Sequence, residues 1–345
     1  MSAGSWNGAR WWKFDFHTHT PASDDYGKGP NQTELKNRTP CEWLLDYMKA
    51  GIDCVAITDH NSGAWIDQLK TEYVRMEREQ PEGFRPLHLF PGVEISVHGG
   101  IHVLAILDKD KGTSDIDSLL GAAGYYGTKG SCDSGETSKA LNEVAEEITK
   151  VGGIAILAHV DEEKGLFETL KGQTLQQAID CEHFFAMELM NDGFAKPAAY
   201  SSCKRPWTEI VGSDAHHPTG NTGQKFPGSR FSWIKMGAPS IEGLRLALLD
   251  GPLSVLRSDK VSDDPNRHAD MVIESIEVEN ARYIGRPSAF SIRLNPWMNT
   301  IIGGRGTGKS TLIEFLRIAL RRENELPEEL KSEFDKYRQV YTTRE

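Results

Sequence analysis

The sequence predicts an α/β fold: a barrel-type domain of strand–helix units over residues 1–257, a linker at 258–270, and a shorter α/β segment over 271–345. Three observations carry this expectation. Short apolar runs such as 54–57 and 154–157 alternate with stretches of helical period, which implies right-handed βαβ units on a parallel sheet. Polar residues fall mainly just past the C-terminal ends of those runs, which in a (β/α) barrel is the catalytic face. A glycine-rich loop near residue 303 stands between a predicted strand and a predicted helix. The length of 345 residues suits one large domain with a fragment, or two ordinary domains.

The first strand is expected over 13–20. Side chains alternate across a strand, so Asp15, His17 and His19 would share a face. Two imidazoles on a rigid strand are a good start for a metal site. A polar loop, 21–39, follows. Residues 41–50 read as a helix with Leu44, Leu45 and Met48 on its buried side, closed by Gly51. The run 54–57 is a buried strand that ends in Thr58, Asp59 and His60. Helix is expected over 63–80. The stretch 87–90 then leads into 92–95, which carries Glu94. A strand over 101–107 has His102 near its start, the one candidate away from a strand's C-terminal end. A small-residue loop covers 121–136. An amphipathic helix is expected over 138–151, with Leu141, Val144, Ile148 and Val151 on one face. The strand at 152–157 ends in Ala158 and His159. Strands are read at 187–190, ending near Asn191, and at 209–212, ending in Ser213, Asp214, Ala215 and His216. Beyond the linker, 271–278, 288–294 and 300–302 read as strands. No internal repeat is found.

Lys and Arg total 39 against 50 Asp and Glu, a formal charge of −11. This argues against a basic nucleic-acid scaffold, although carboxylates committed to metals inflate the acidic count. The five cysteines are scattered and odd in number, which points to a reducing compartment and no zinc finger. With no signal-peptide pattern and no apolar stretch of membrane-spanning length, the expectation is a cytoplasmic protein without a membrane partner.

The candidate metal ligands are His17, His19, Asp25, His60, Glu94, His102, His159, Asp214 and His216. An ion takes about four to six donors, so this set suits roughly two or three divalent transition ions, and imidazole with carboxylate suits manganese, iron or zinc. Clustered metals favour phosphate ester cleavage. Of these residues, His17, His19, His60, Glu94, His159, Asp214 and His216 are the candidate catalytic set. A lone histidine is ordinarily a hydrogen-bonded structural residue, and His88, His98, His183, His217 and His268 are read that way. Arg205, Lys225 and Arg230 are candidate phosphate clamps.

His17-Thr18-His19, Thr58-Asp59-His60, Gly92-Val93-Glu94, Ala158-His159 and Ser213-Asp214-Ala215-His216, in this order, resemble the PHP (polymerase and histidinol phosphatase) family over about residues 11–257. The resemblance implies a distorted (β/α)7 barrel, a trinuclear centre and phosphoesterase activity by in-line attack of hydroxide on phosphorus. It maps the family's ligands onto the positions above. The third ligand of the first motif falls in 23–25, with Asp25 favoured over Asp24. Asp15 and Asp59 would hold histidine tautomers.

Gly303, Gly304, Arg305, Gly306, Thr307, Gly308, Lys309 and Ser310, followed by Thr311, fit the P-loop pattern. They sit between the predicted strand 300–302 and a helix with Leu312, Phe315, Leu316 and Ala319 on one face. Backbone amides there would cradle phosphates, Lys309 would reach the terminal phosphates and Ser310 would bind Mg²⁺, making ATP with magnesium the expected cofactor. The residues after the loop show no second metal-binding motif. The stretch 323–345 reads as a charged helix with Leu330, Phe334 and Tyr337 spaced for burial. A truncated SMC- or ABC-like ATPase segment is therefore expected. A PHP barrel running into such a segment resembles TrlF-type PHP–ATPase fusions and PHP-like proteins linked to anti-phage defence, on residues 17–26 and 303–311. That kinship implies a nuclease or nucleotide phosphohydrolase regulated by ATP, with nucleic acid or nucleotide as substrate and self-association through the ATPase part. Two other readings stand beside it: a non-catalytic ATP-dependent sensing or assembly module on a structural metal barrel, and a metal amidohydrolase.

Overall fold

The computed structural model describes residues 8–220, 225–267, 272–281 and 284–338. They form two compact units, one of Arg10–Asp264 and one of the chain from Pro265 onward with Gly8 and Ala9. His268 and the start of the predicted strand at Met271 lie outside the described residues, as do 339–345 of the predicted last helix.

In the first unit the elements run β1 (Arg10–Asp15), α1 (Gln32–Leu35), α2 (Pro40–Lys49), β2 (Cys54–Ile57), α3 (Ile66–Glu79), β3 (His88–Val97), β4 (Ile101–Ile106), α4 (Thr113–Ala123), α5 (Leu141–Lys150), β5 (Ile154–Leu157), α6 (Leu166–Thr169), α7 (Gly172–Ile179), β6 (Phe184–Glu188), α8 (Ala198–Ser201), β7 (Thr208–Ile210), β8 (Ser232–Met236), α9 (Ile241–Asp250) and β9 (Val255–Arg257). The nine strands form one nearly closed, barrel-like sheet in the order β7-β6-β5-β4-β3-β2-β1-β8-β9.

The sheet is mixed rather than parallel. The pairs β1–β2, β2–β3, β5–β6 and β6–β7 are parallel, while β3–β4, β4–β5, β1–β8 and β8–β9 are antiparallel. The chain between β3 and β4 explains the first reversal: it is too short for a crossover, and Gly99 and Gly100 turn it at φ +90° and +75°. Because β4 runs backwards, its start lies beside the C-terminal end of β3, with His102 in register with Ser96. His102 therefore belongs to the same mouth as the other candidates.

Alternation sorts the strand residues into two layers. Val55, Ile57, Val93, Ile95, Val103 and Leu157 pack with the helices' buried faces, which include Trp43, Leu44, Ile116 and Val144. The residues between them, Cys54, Ala56, Leu104, Ile106, Ile154, Ile156, Ala186 and Ile210, fill the interior with Phe14, Phe16 and Phe90. α9 seals one end. Its Ile241, Leu244 and Leu248 join the interior cluster, and Arg245 donates to the carbonyls of Gly152 and Gly153 ahead of β5. The other end, at the C-terminal edge of the parallel strands, stays polar.

No ladder joins β7 to β9. Side chains bridge the seam instead: the Arg257 guanidinium donates to Leu189 O at 2.7 Å and Ile210 O at 3.4 Å, and the Ser232 hydroxyl accepts from Val211 N and donates to Val211 O.

The second unit pairs β10 (Ser275–Val278) with β11 (Phe290–Arg293) in antiparallel fashion, followed by α10 (Lys309–Ala319) and α11 (Glu328–Arg338). Ile276, Val278, Leu312 and Phe315 form its small core. The predicted strand at 300–302 does not form. Among the described residues nothing pairs with it, and Ile302 is 89% exposed. A strand needs a neighbour to satisfy its backbone groups, and the two-stranded sheet offers none there.

Candidate metal centre

Ladder pairing of β1 ends at Asp15, so His17 and His19 reach the mouth from extended chain beyond the expected strand. That chain is held by an isolated bridge between Thr18 and Ala215 and by Thr18 Oγ1 donating to Ala56 O. His60 follows β2, His159 follows β5, and Asp214 and His216 follow β7. Glu94 lies within β3, which continues to Val97. His159 and Asp214 are held at φ +26° and +48°, backbone conformations that side-chain-bearing residues seldom adopt and that concentrate at functional sites.

The nine predicted ligands gather at the mouth, and five of them, His17, His19, His60, His102 and His159, meet the buried Glu94 carboxylate directly. Its Oε2 lies 3.3 Å from His17 Nε2, 3.6 Å from His19 Nε2 and 2.6 Å from His60 Nδ1. Its Oε1 lies 2.7 Å from His102 Nδ1 and 3.1 Å from His159 Nε2. Asp214 Oδ1 adds contacts of 3.2 Å to His19 Nε2, 3.3 Å to His216 Nδ1 and 3.5 Å to His17 Nε2. Asp25 Oδ2 meets His216 Nε2 at 3.2 Å and His60 Nε2 at 3.3 Å, whereas Asp24 is exposed.

The electrostatics follow from this crowding. Burial alone would push the Glu94 carboxyl up, but the facing His102, His17 and His60 rings hold it well below the usual carboxylate range. Burial drives the His19 imidazole well down, and His216 and His60 add to the push. Burial also pushes the His17 and His60 imidazoles down, but the facing carboxylates, Glu188 and Glu94 foremost, hold both well above the ordinary value, so the mouth pairs crowded imidazoles with the carboxylates of Glu94, Asp214 and Asp25.

Two supporting carboxylates behave differently from expectation. Asp59 accepts from Ser23 Oγ at 2.7 Å, and Ser23 Oγ lies 3.0 Å from His19 Nδ1, so it acts on His19 through a hydroxyl. Asp15 meets the backbone of His17 and not its ring, and its Oδ1 accepts from Ser213 N at 2.8 Å. The role expected of Asp15 falls to Glu188, which sequence reading missed. Its Oε2 sits 2.8 Å from His17 Nδ1 and accepts from His159 N, while Oε1 accepts from Gly212 N. The available signal was alternation: Ala186 faces the barrel interior, and two residues on the same face carries a carboxylate.

The mouth opens into a cavity of about 350 Å³, lined by the cluster apart from His17 and His19, by Cys132, Lys164 and Lys225, and by the acidic Asp133, Glu162 and Glu163. Lys225 pairs with Asp214 and, at 3.4 Å, with Glu162. The other two candidate clamps are elsewhere: Arg205 is exposed beside Glu182, and Arg230 reaches toward Met190. His88 packs edge-on against Trp12 and His98 pairs with Glu136, both away from the cluster, whereas His217 turns its ring to Thr219 O but lines a small cavity with Asp25 and His216. A larger cavity of about 700 Å³, lined by Cys181, Trp207 and Leu248 among others, holds no comparable set of donors among the described residues.

In the second unit the glycine loop is exposed. Gly306 and Gly308 take φ +80° and +87°, and Lys309 Nζ donates to Gly303 O and Gly304 O at 2.5 and 2.6 Å. The loop thus curls around its own lysine and leads directly into α10.

No protein-family model matches the sequence, and no curated protein matches it. Solved structures do. The lesion-specific endonuclease PfuEndoQ from Pyrococcus furiosus aligns with a TM-score of 0.50 at 15% identity, over 70% of this chain and 56% of that one. The chain shares its fold. A two-domain protein from Bacteroides vulgatus ATCC 8482 that contains a PHP-like metal-dependent phosphoesterase aligns at a TM-score of 0.43 and 18% identity, over 72% and 65% of the two chains. Endonuclease Q in complex with a 27-mer duplex bearing an abasic lesion aligns at 0.47 and 16%, over 69% and 56%. The aligned part spans little more than half of PfuEndoQ's length. The clusters of histidine and carboxylate at the mouth fit divalent metal binding. Among the described residues no helix is long and apolar enough to cross a membrane.

Proposed function

We propose that the barrel mouth is a multinuclear phosphoesterase centre, with His17, His19, Asp25, His60, Glu94, His102, His159, Asp214 and His216 as the ligands of divalent transition metals, and nucleic acid or nucleotide as substrate. One observation carries the reading. Nε2 of His102 and Nδ1 of His159 are buried without a hydrogen-bond partner, and Nε2 of His17 and His19 and Nδ1 of His60 face only the Glu94 and Asp214 carboxylates, in contacts that lack hydrogen-bond geometry. Leaving so many polar atoms unsatisfied in one place would cost several kcal/mol in total unless cations take up their lone pairs. Bound divalent cations would supply Lewis acidity that activates water and neutralises phosphate charge. The chain's own part is to fix the ring orientations, through Glu188 and through Ser23 with Asp59, and to place Lys225 and Lys164 at the opening, where they offset the charge of Asp214, Glu162 and Asp133 and lower the barrier to an anionic ester. The fold shared with an endonuclease supports a phosphodiester over an amide as the bond cleaved.

The proposal extends to the second unit as a nucleotide-responsive element, with Gly303–Ser310 and Thr311 holding the phosphates of ATP and Lys309 and Ser310 their charge and Mg²⁺. The positive-φ glycines leading into α10 support this, because that backbone conformation, which glycine takes without penalty, forms a tight turn at a helix N-terminus. The exposed Met298 and Ile302 support self-association through the same unit.

The test is release of product from labelled single- and double-stranded oligonucleotides, mononucleotides and a model amide, with Mn²⁺ or Zn²⁺ and with or without ATP. Metal-dependent cleavage of a phosphate ester, abolished by His17→Ala and by Asp214→Ala, is expected. Amide turnover with esters untouched would overturn it, as would ATP-dependent assembly with no hydrolysis at all.

A further inference from the structure

The loop between α4 and α5 brings a thiol to the metal centre. Gly130 N donates to His60 O at 2.9 Å, and Gly130 O accepts from Asp24 N at 2.8 Å. Ser131 O accepts from Asn61 Nδ2 at 2.9 Å, and Cys132 O accepts from Lys164 Nζ at 3.0 Å. Only glycine suits residue 130: its φ is +89°, and a Cβ there would lie 2.4 Å from Ala22 O. The loop is therefore docked on both ligand-bearing segments, 22–25 and 60–61. The sulfur it delivers shares a cluster with Asp25 and His60 in which the donor atoms lie within 4.8 Å of one another.

The nitrogen and oxygen donors beside it already have the spacing of a small ion's coordination shell. Asp25 Oδ2 to His216 Nε2 is 3.2 Å, Asp25 Oδ2 to His60 Nε2 is 3.3 Å, and His60 Nε2 to His216 Nε2 is 3.4 Å. A tetrahedral ion with donors at about 2.0–2.1 Å needs edges of about 3.3–3.4 Å. Three corners are thus in place. His60 is 5% exposed and its other nitrogen, Nδ1, is turned to Glu94 Oε2 at 2.6 Å, which leaves Nε2 for this site; the buried Oδ1 of Asp25 has no hydrogen-bond partner.

We propose that Cys132 Sγ is the fourth donor of a zinc-selective site completed by Asp25, His60 and His216. This rests on the reading of the barrel mouth as a metal centre and adds the identity of one metal to it. Binding forms a sulfur–metal bond and breaks the S–H bond, and the proton leaves to water. Thiolate is a soft ligand that discriminates for zinc over manganese, whereas the sulfur-free donors around Glu94 do not separate manganese, iron and zinc. The centre then holds one zinc beside ions that exchange more freely.

The full chain, stripped of metal with a chelator and titrated with Co²⁺, tests this. Thiolate-to-cobalt charge-transfer absorption in the near ultraviolet is expected in the native protein. It should be lost in both Cys132→Ser and Cys132→Ala, with the visible ligand-field bands of bound cobalt retained. In competition titrations the variants should lose at least tenfold in zinc affinity at one site while manganese uptake is unchanged. Bound cobalt without the charge-transfer band, or with the same band in the variants, overturns the sulfur ligand and leaves the metal centre standing. Failure of any cobalt to bind a chain whose circular dichroism is native overturns both.

Discussion

The carboxylate of Glu188 reaches Nδ1 of His17 at 2.8 Å from the end of β6, a strand on the other side of β7 from the seam. That contact fixes which ring nitrogen of His17 carries the proton and leaves Nε2 free to face Glu94 and Asp214. Removing such an orienting partner ordinarily weakens metal binding about 10–100-fold. Glu188→Gln keeps the shape and loses the charge, so a loss of that size is expected in chelator-competition titrations with circular dichroism unchanged. Native affinity in this variant would refute the orienting role.

Gly212 makes the same contact possible. A Cβ at that position would lie 2.8 Å from Glu188 Oε1 and 2.9 Å from both Cβ and N of His17. Two of those neighbours belong to packed residues that cannot move away independently. Gly212→Ala is expected to cost about 1–3 kcal/mol in urea unfolding and to weaken metal binding together with stability. Gly121 in α4 is the contrast: it is exposed, nothing lies within 4 Å of a Cβ there, and Gly121→Ala should stabilise by about 0.5–1 kcal/mol.

His88 at the start of β3 gives the barrel an acid-sensitive point away from the metals. Burial pushes its imidazole down from the ordinary 6.5 to about 4, and the Lys109 ammonium adds to that. The native state then binds fewer protons than the unfolded chain between those two values, so stability is present above about pH 6.5 and drains away as pH falls toward about 4. His88→Gln removes the titration. Half-burial discounts the effect to on the order of 1–2 kcal/mol. The measurement is urea unfolding of both proteins from about pH 4 to 7.5 at fixed metal, where the difference between them cancels the shared metal linkage. Parallel pH profiles for the two would refute the assignment.

His60, Glu94, His159, Asp214 and His216 were legible because each follows an apolar run short enough to read as a buried strand, whereas Asp25 lies in a polar loop and was singled out only through the family resemblance. What escaped reading shares a cause: it depends on strand direction or on distant chain. The reversal of β4 could not be seen in 101–107, though it alone explains how His102 joins the mouth. Glu188 fell inside the expected strand 187–190 and was given no role there, and its partner is 171 positions away. Cys132 sits in a loop without period, placed by contacts with His60, Asn61 and Lys164. α4, β8, α9 and β9 went unread, and with them the closing of the barrel. The strand at 300–302 failed for the opposite reason: its local apolar character is right, but no neighbour pairs with it.

Arg257 closes the barrel without a ladder, and its loss should show how much the seam matters to the site. The guanidinium is 4% exposed, donates to Leu189 O and Ile210 O, and pairs with both carboxylate oxygens of Asp259 at 3.0 and 2.6 Å. Arg257→Met fills similar space but takes the donor from Leu189 O, while Ile210 O keeps Leu189 N at 3.1 Å and the exposed Asp259 carboxylate turns to solvent. Leaving one buried carbonyl unsatisfied costs about 1–3 kcal/mol. Arg257→Lys should fall between, because one ammonium cannot serve the carboxylate and both carbonyls at once. Leu189 directly follows Glu188, so a loosened seam also loosens the carboxylate that orients His17. Metal affinity should therefore decline in the order native, Lys, Met, in step with the urea midpoint. A stable Arg257→Met protein with native affinity would show that the seam is held by packing and by Ser232 alone.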